Sequence, residues 1–236
     1  MDTIMKKTLL LMAMALPFVL ISCGDDKDEP VTPEEHEYVD LGLPSGTLWA
    51  TCNVGANTPE EYGDYFAWGE TAPKDYYDFS SYKWCKLESD NTYSCYTKYC
   101  AESIFGYNGF TDGKIELDLV DDAAYINWGA SWHMPSLEQI QELLNSCSWQ
   151  WTERNGVNGQ LVIGPNGNTI FLPATGYRWN QFLDDVGSNG YYWSRTLCPS
   201  YSSSTYFLVI NSGNVHWNNT GRILGFAIRA VRVSKK

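Results

Sequence analysis

Aromatic residues interleaved with glycine and proline constrain this chain more tightly than any other feature. Ten Trp, sixteen Tyr and nine Phe stand beside twenty Gly and ten Pro, a mixture that favours short strands joined by turns over a helical bundle or coiled coil. Apolar residues fill 44% of 236 positions, enough for a packed core, so disorder is excluded for most of the chain. The formal net charge is −12 and no basic run offsets it, which argues against nucleic acid as a partner.

The first residues read as a targeting segment. Lys6 and Lys7 precede an apolar run from Leu9 to Ile21, too short to span a bilayer comfortably and shaped like a secretory signal. Leu20-Ile21-Ser22-Cys23 resembles the lipobox of bacterial lipoproteins, where cleavage leaves the cysteine to carry acyl chains. The expectation is a signal peptide over 1–22 and a stable lipid anchor on Cys23; an ordinary signal peptide cut elsewhere or an uncleaved anchor is the alternative. Residues 24–37 hold seven acidic groups, one Lys and two Pro, so 23–37 reads as a lipidated acidic tether. Its acidic cluster resembles the export signal of Bacteroidetes lipoproteins displayed on the outer face of the outer membrane, although a solvated spacer would look the same.

Besides Cys23 the cysteines are Cys52, Cys85, Cys95, Cys100, Cys147 and Cys198. Six cysteines in an exported chain allow three disulfides in fifteen pairings. Cys85, Cys95 and Cys100 crowd one Tyr-rich stretch, which predicts at least one local bridge; free thiols are the alternative elsewhere. A zinc site at Cys95-x4-Cys100 lacks a second ligand pair.

From Tyr38 onward no further linker or repeat interrupts the chain, so 38–236 is expected to be one domain. Val39, Leu41 and Leu43 alternate as in a strand, and Gly46 to Cys52 suggests another. A helix is expected over Asp121 to Trp128, capped by Asp121 or Asp122. A second starts at Ser136, where Gln139 completes a capping box and Leu137, Ile140, Leu143 and Leu144 form an apolar stripe. Leu161 to Ile163 and Thr169 to Leu172 flank a turn at Gly164 to Gly167; Tyr206 to Ile210 faces Val215 to Trp217 across Asn211 to Asn214; Gly225 to Arg232 reads as a final strand. Few helices among many short strands predict an α+β fold.

These residues also carry a resemblance. Tyr38 to Ala50 (YVDLGLPSGTLWA), Tyr65 to Glu70 (YFAWGE), Asp122-Ala123-Ala124, Trp132 to Ser136 (WHMPS), Pro173 to Arg178 (PATGYR), Tyr192-Trp193-Ser194 and Gly225 to Arg232 together resemble the Fibrobacter succinogenes major paralogous domain, in order over nearly all of 38–233. The resemblance implies a C-type-lectin-like fold in the broad sense that includes formylglycine-generating enzymes: a twisted antiparallel sheet with two helices and long irregular loops. That enzyme family needs a cysteine pair near the C-terminus, and this chain has no cysteine after Cys198. His36 falls in the tether and His133 reads as structural, so no catalytic residue is assigned. Calcium-binding lectins use a Trp-Asn-Asp strand; Trp217-Asn218-Asn219 comes near it, but Asn219 replaces the acid, so no metal or other cofactor is expected.

Between Gly187 and Leu224 lie seven Ser, five Asn and four Tyr, with Arg195 and Arg222 the only Lys, Arg, Asp or Glu residues. Tyr, Ser and Asn are the residues of adaptable binding loops, and the stretch resembles the variable region of proteins diversified by diversity-generating retroelements. The expected ligand face comprises Arg195, Tyr201, Ser203, Tyr206, His216, Trp217, Asn218, Asn219 and Arg222, binding an unidentified protein or glycan. The opposing expectation is an accessory or tip subunit of a fimbria-like assembly, for which an exposed edge strand would speak.

Overall fold

The computed structural model describes residues 36–87 and 94–233, all within the compact unit Pro33–Lys236. The expected signal peptide, Cys23 and the expected tether up to residue 35 lie outside the described residues. Among the described residues no helix is long and apolar enough to cross a membrane.

The chain opens with a hairpin, β1 (Tyr38–Asp40) against β2 (Thr47–Ala50), and returns at its end to add β11 (Val231–Val233) on the other side of β2. Two helices follow the hairpin, α1 (Ala123–Trp128) and α2 (Leu137–Ser146). Next comes a meander of β3 (Ser148–Arg154), β4 (Val157–Ile163) and β5 (Thr169–Pro173), then a ribbon of β6 (Tyr177–Trp179) and β7 (Phe182–Asp184). A third three-stranded sheet holds β8 (Asn189–Leu197), β9 (Ser204–Asn211) and β10 (Val215–Gly221), with β9 in the middle. Every strand pair is antiparallel. Antiparallel sheets with two α-helices make this an α+β or mostly-β architecture, as the pattern of turns and periodicity led one to expect.

The sheet of β8 and β9 lies between two cores. Trp193 opposes Phe207 in register, and both pack with Trp68, Trp128, Trp132 and Phe226. One residue along, Tyr192 opposes Leu208 and both face Ile140 and Leu143 of α2, with Val162 and Leu172 of the meander. Alternate side chains thus bury on opposite faces, which is why Phe207 to Ile210 is apolar without a break. A third cluster gathers Tyr77, Tyr82, Tyr96 and Cys95. There the Cys85–Cys95 disulfide closes a loop of sequence separation 10.

Some expectations hold and others are corrected. The local bridge expected among Cys85, Cys95 and Cys100 is Cys85–Cys95, and of the two states left open for the other cysteines Cys52, Cys100, Cys147 and Cys198 take that of free thiols; the buried Cys100 points its sulfur at the Glu102 carbonyl, 3.1 Å away. The expected strand over 225–232 pairs as a ladder only from Val231. Upstream, Gly225, Phe226 and Ala227 bridge Arg178, Phe66 and Tyr192 in turn, so the segment threads between elements as a spine. Leu41 and Leu43 are buried from a loop, because Gly42 turns the chain at φ +73°. The packed domain begins before Tyr38: the His36 ring stacks on Trp128 at 3.9 Å. The first helix has one of its two expected caps: the Asp122 carboxylate accepts from the Ala124 and Tyr125 amides, so α1 runs from Ala123 and not from Asp121.

Candidate functional site

The residues expected to form one ligand face are distributed over four environments. Arg195 sits at the irregularity of β8, where its Nε lies 2.7 Å from Glu116 Oε2. Tyr201 is exposed on the turn before β9, its ring tilted over Phe105 with centroids 5.1 Å apart. Ser203, beside it, is half-buried, and its carbonyl accepts the Arg222 amide at 3.3 Å.

The third environment is the strand pair β9 and β10. Tyr206 opposes Asn219, and Trp217 lies one pleat further along on the same face. The two rings meet edge to face at 5.5 Å, the geometry favoured for aromatic neighbours. Trp217 keeps 42% of its surface exposed. His216 and Asn218 alternate onto the other face, so the five residues do not share one surface. Asn218 Oδ1 accepts from the Asn219 amide at 2.8 Å, which holds that side chain against its own strand. The Nδ1 of half-buried His216 has no hydrogen-bond partner. A hydrogen bond with Cys198 holds the Tyr206 hydroxyl above the usual phenol range. Because β10 pairs with β9 alone among the described strands, it is an edge.

Arg222 is the correction among these residues: its exposure is 0%. Its guanidinium lies 3.7 Å from the Tyr96 ring centroid and donates to the carbonyls of Tyr99 at 2.8 Å and Lys98 at 3.1 Å. It ties the Tyr-rich cluster to the end of β10 and is closed to a ligand. A sequence pattern that marks Arg as an exposed anchor cannot see the carbonyls that the fold brings to it.

His133 is placed structurally. Its ring stacks on Tyr125 at 5.8 Å and its backbone pairs with Val231 in both directions. Asp122, 3.9 Å from its Nδ1, accepts from the amides of Ala124, Tyr125 and Met134. Burial lowers the His133 pKa against the pull of Asp122, and raises that of Asp122 against its amide donors. Among the described residues no group of three or more His, Cys, Asp or Glu side chains is placed to hold a metal ion.

Sequence reasoning passed over three features. The ribbon β6–β7 and the turn after it expose Trp179, Phe182, Leu183 and Val186. A cavity of about 440 Å³ opens beside the His36–Trp128 stack, lined also by Thr51, Cys52, Arg154 and Phe171. A third, smaller cleft is bordered by Trp149 and Trp151 of β3; their alternation in the segment Ser148–Arg154 is the one signal that would have revealed it. No family model matches the chain, and neither does any curated protein or solved structure compared with it.

Proposed function

We propose that the chain is a surface-displayed lipoprotein whose C-type-lectin-like domain binds a protein or glycan ligand, without catalysis, at β10 and the neighbouring Tyr201 turn. The observation that carries the reading is the exposure of Trp217 and Asn219 on one face of a strand whose partner β9 is packed between two cores. An indole and an amide side by side on a rigid backbone lose little entropy when they bind, which suits a recognition surface. The resemblance to the Fibrobacter succinogenes major paralogous domain supports the fold assignment, and the lipobox-like run supports the anchor.

The full chain in detergent, screened over immobilised glycans and solubilised surface proteins, tests this. Combined Ala replacement of Tyr201, Trp217 and Asn219 should weaken any ligand found by more than tenfold, about 1.4 kcal/mol, and leave the melting temperature unchanged. Unaltered affinity would move the site elsewhere. One observation favours the second reading, a fimbria-like subunit: the outer edge of β10 has no partner among the described strands and so has backbone groups free for strand addition. Ordered polymers of the purified chain would select that reading, and a stable monomer the first.

A further inference from the structure

A cleft of about 280 Å³ lies between the β3–β4 hairpin and the turn joining β9 to β10, lined by Trp149, Trp151, Gln160, Ser212, Asn214 and Val215. Trp151 opposes Gln160 in register and Trp149 opposes Val162, so both indoles and the Gln160 amide project from one face of the meander. Gln160 is only 4% exposed. Its Nε2 donates to the Asn211 carbonyl at 2.8 Å, which fixes the amide orientation and leaves Oε1 as the other atom. That oxygen is buried without a hydrogen-bond partner, and so is Trp149 Nε1. One acceptor and one donor on residues lining the cleft are therefore unmatched, which is unfavourable for buried polar groups.

The facing wall is rigid. Asn211 Oδ1 accepts from the amides of Gly213 at 2.9 Å and Asn214 at 2.8 Å, and the Asn211 amide donates to the Asn214 carbonyl at 3.0 Å. Ser212 and Asn214 themselves are exposed on this turn.

The chemistry of the lining selects the ligand. None of the lining residues is charged, so a charged ligand would lose solvation without gaining a counterion. A donor and an acceptor unmatched on residues of one cleft call for a ligand that carries both functions, as a polyhydroxylated ring does. Two indoles add flat apolar surface for a ring with an apolar face. The cleft falls just below the roughly 300–1,000 Å³ of pockets that enclose drug-sized ligands, which suits a single ring. We infer that this cleft is a subsite for a neutral pyranose sugar. The sugar stacks on the Trp149–Trp151 side, and its hydroxyls meet Gln160, Ser212 and Asn214 directly or through one trapped water. None of the residues lining the cleft is one on which the reading of β10 and the Tyr201 turn rests, so its failure leaves that reading standing.

Fluorine NMR of the full chain labelled with 5-fluorotryptophan tests the subsite. Trp149 and Trp151 are assigned by Phe replacement and titrated with maltose, lactose and N,N′-diacetylchitobiose; sialyllactose serves as the charged control and a neutral apolar peptide as the competing occupant. At least one neutral sugar should shift both resonances saturably. Trp151→Ala should abolish the response. The exposed double change Ser212→Ala with Asn214→Ala, which leaves the packing untouched, should weaken it about threefold or more, the loss of one hydrogen bond. The inference is overturned if no neutral sugar shifts either resonance at tens of millimolar, if the peptide alone binds, if the Ser212/Asn214 variant binds sugar unchanged, or if the only shifted resonance is Trp217.

Discussion

Two tryptophans and two arginines do much of the locking in this molecule. Trp68 Nε1 donates to the Ser194 carbonyl and Trp193 Nε1 to the Phe66 carbonyl, both at 2.8 Å, so each fully buried indole clamps the other's backbone. Arg222 and Arg229 are buried with backbone carbonyls as acceptors in place of carboxylates. Arg229 reaches Asn53, Ala50, Thr51 and Phe171, and desolvation lowers its pKa to about 10. Arg222→Met would leave the Lys98 and Tyr99 carbonyls unmatched and should cost about 2–4 kcal/mol; an unchanged urea midpoint would contradict that role. His133 adds a pH dependence. Its folded pKa lies below the usual 6.5 because burial outweighs the nearby Asp122, with Arg195 adding to the lowering and Tyr125 stacked on the ring. The unfolded chain therefore binds the proton first. The stability His133 contributes is present above about pH 6.5 and is lost as pH falls through the folded value. Asp122, raised by burial, acts in the opposite sense at lower pH. Unfolding free energy measured from about pH 7.5 to 5 should fall more steeply for the wild type than for His133→Gln; parallel curves would refute the assignment.

At the scale of elements, local chemistry and distant contacts divide the work. Helix α2 begins where its own residues dictate: Ser136 Oγ accepts from the Gln139 amide, and the Gln139 side chain accepts in return from Ser136. A capping interaction of this kind is worth about 1 kcal/mol. The ribbon β6–β7 depends on Gly176. A Cβ there would come within 2.1 Å of the Asp184 carbonyl oxygen at φ +63°, so a larger residue would force the turn apart. The Tyr-rich segment has little regular structure and is held by the Cys85–Cys95 bridge and by tyrosine hydroxyls, such as Tyr82 to the Trp68 carbonyl at 2.7 Å and Tyr77 to that of Tyr65 at 2.6 Å. Replacing Cys85 and Cys95 together with Ser should lower stability by about 3 kcal/mol, from the loop-closure entropy of a ten-residue separation. Alkylation of the unreduced, denatured chain should label Cys52, Cys100, Cys147 and Cys198 and spare Cys85 and Cys95. Labelling at all six would show that the bridge does not form.

At the scale of the whole molecule, β1 and β11 flank β2, so the first and last described strands share one sheet; both run antiparallel to β2, which puts Tyr38 beside Ala50 at one end of it and Val233 beside Thr47 at the other. The sheet β8–β10 is built from the residues in between. If Cys23 carries the anchor, Cys23→Ala should abolish incorporation of a labelled fatty acid while leaving the domain folded. A mutant that still takes up label would sink the lipoprotein assignment. Protease added to intact cells should release the domain of the wild type if the acidic tether directs it outward, and full protection would argue for a periplasmic face.

What was legible in the residues themselves is what depends on neighbours along the chain. The cap at Ser136, the Gly164 to Gly167 and Asn211 to Asn214 turns, and the apolar run of β9 all follow from local hydrogen bonding and from which side chains need burial. The nearness of Tyr206 to Trp217 on neighbouring strands was readable because a tight turn folds the hairpin back on itself, although in register Tyr206 opposes Asn219. The conversion of 225–230 from a strand into a spine was not readable, nor was the burial of Arg222, the singleness of the disulfide, or the meeting of Gln160 with the Asn211 turn. Each depends on groups brought together across the fold: Arg222 on carbonyls 123 and 124 positions away, Gln160 on one 51 positions away. Periodicity reports whether a side chain must leave water; only the tertiary structure decides which distant backbone receives it, because that choice is made by packing between elements.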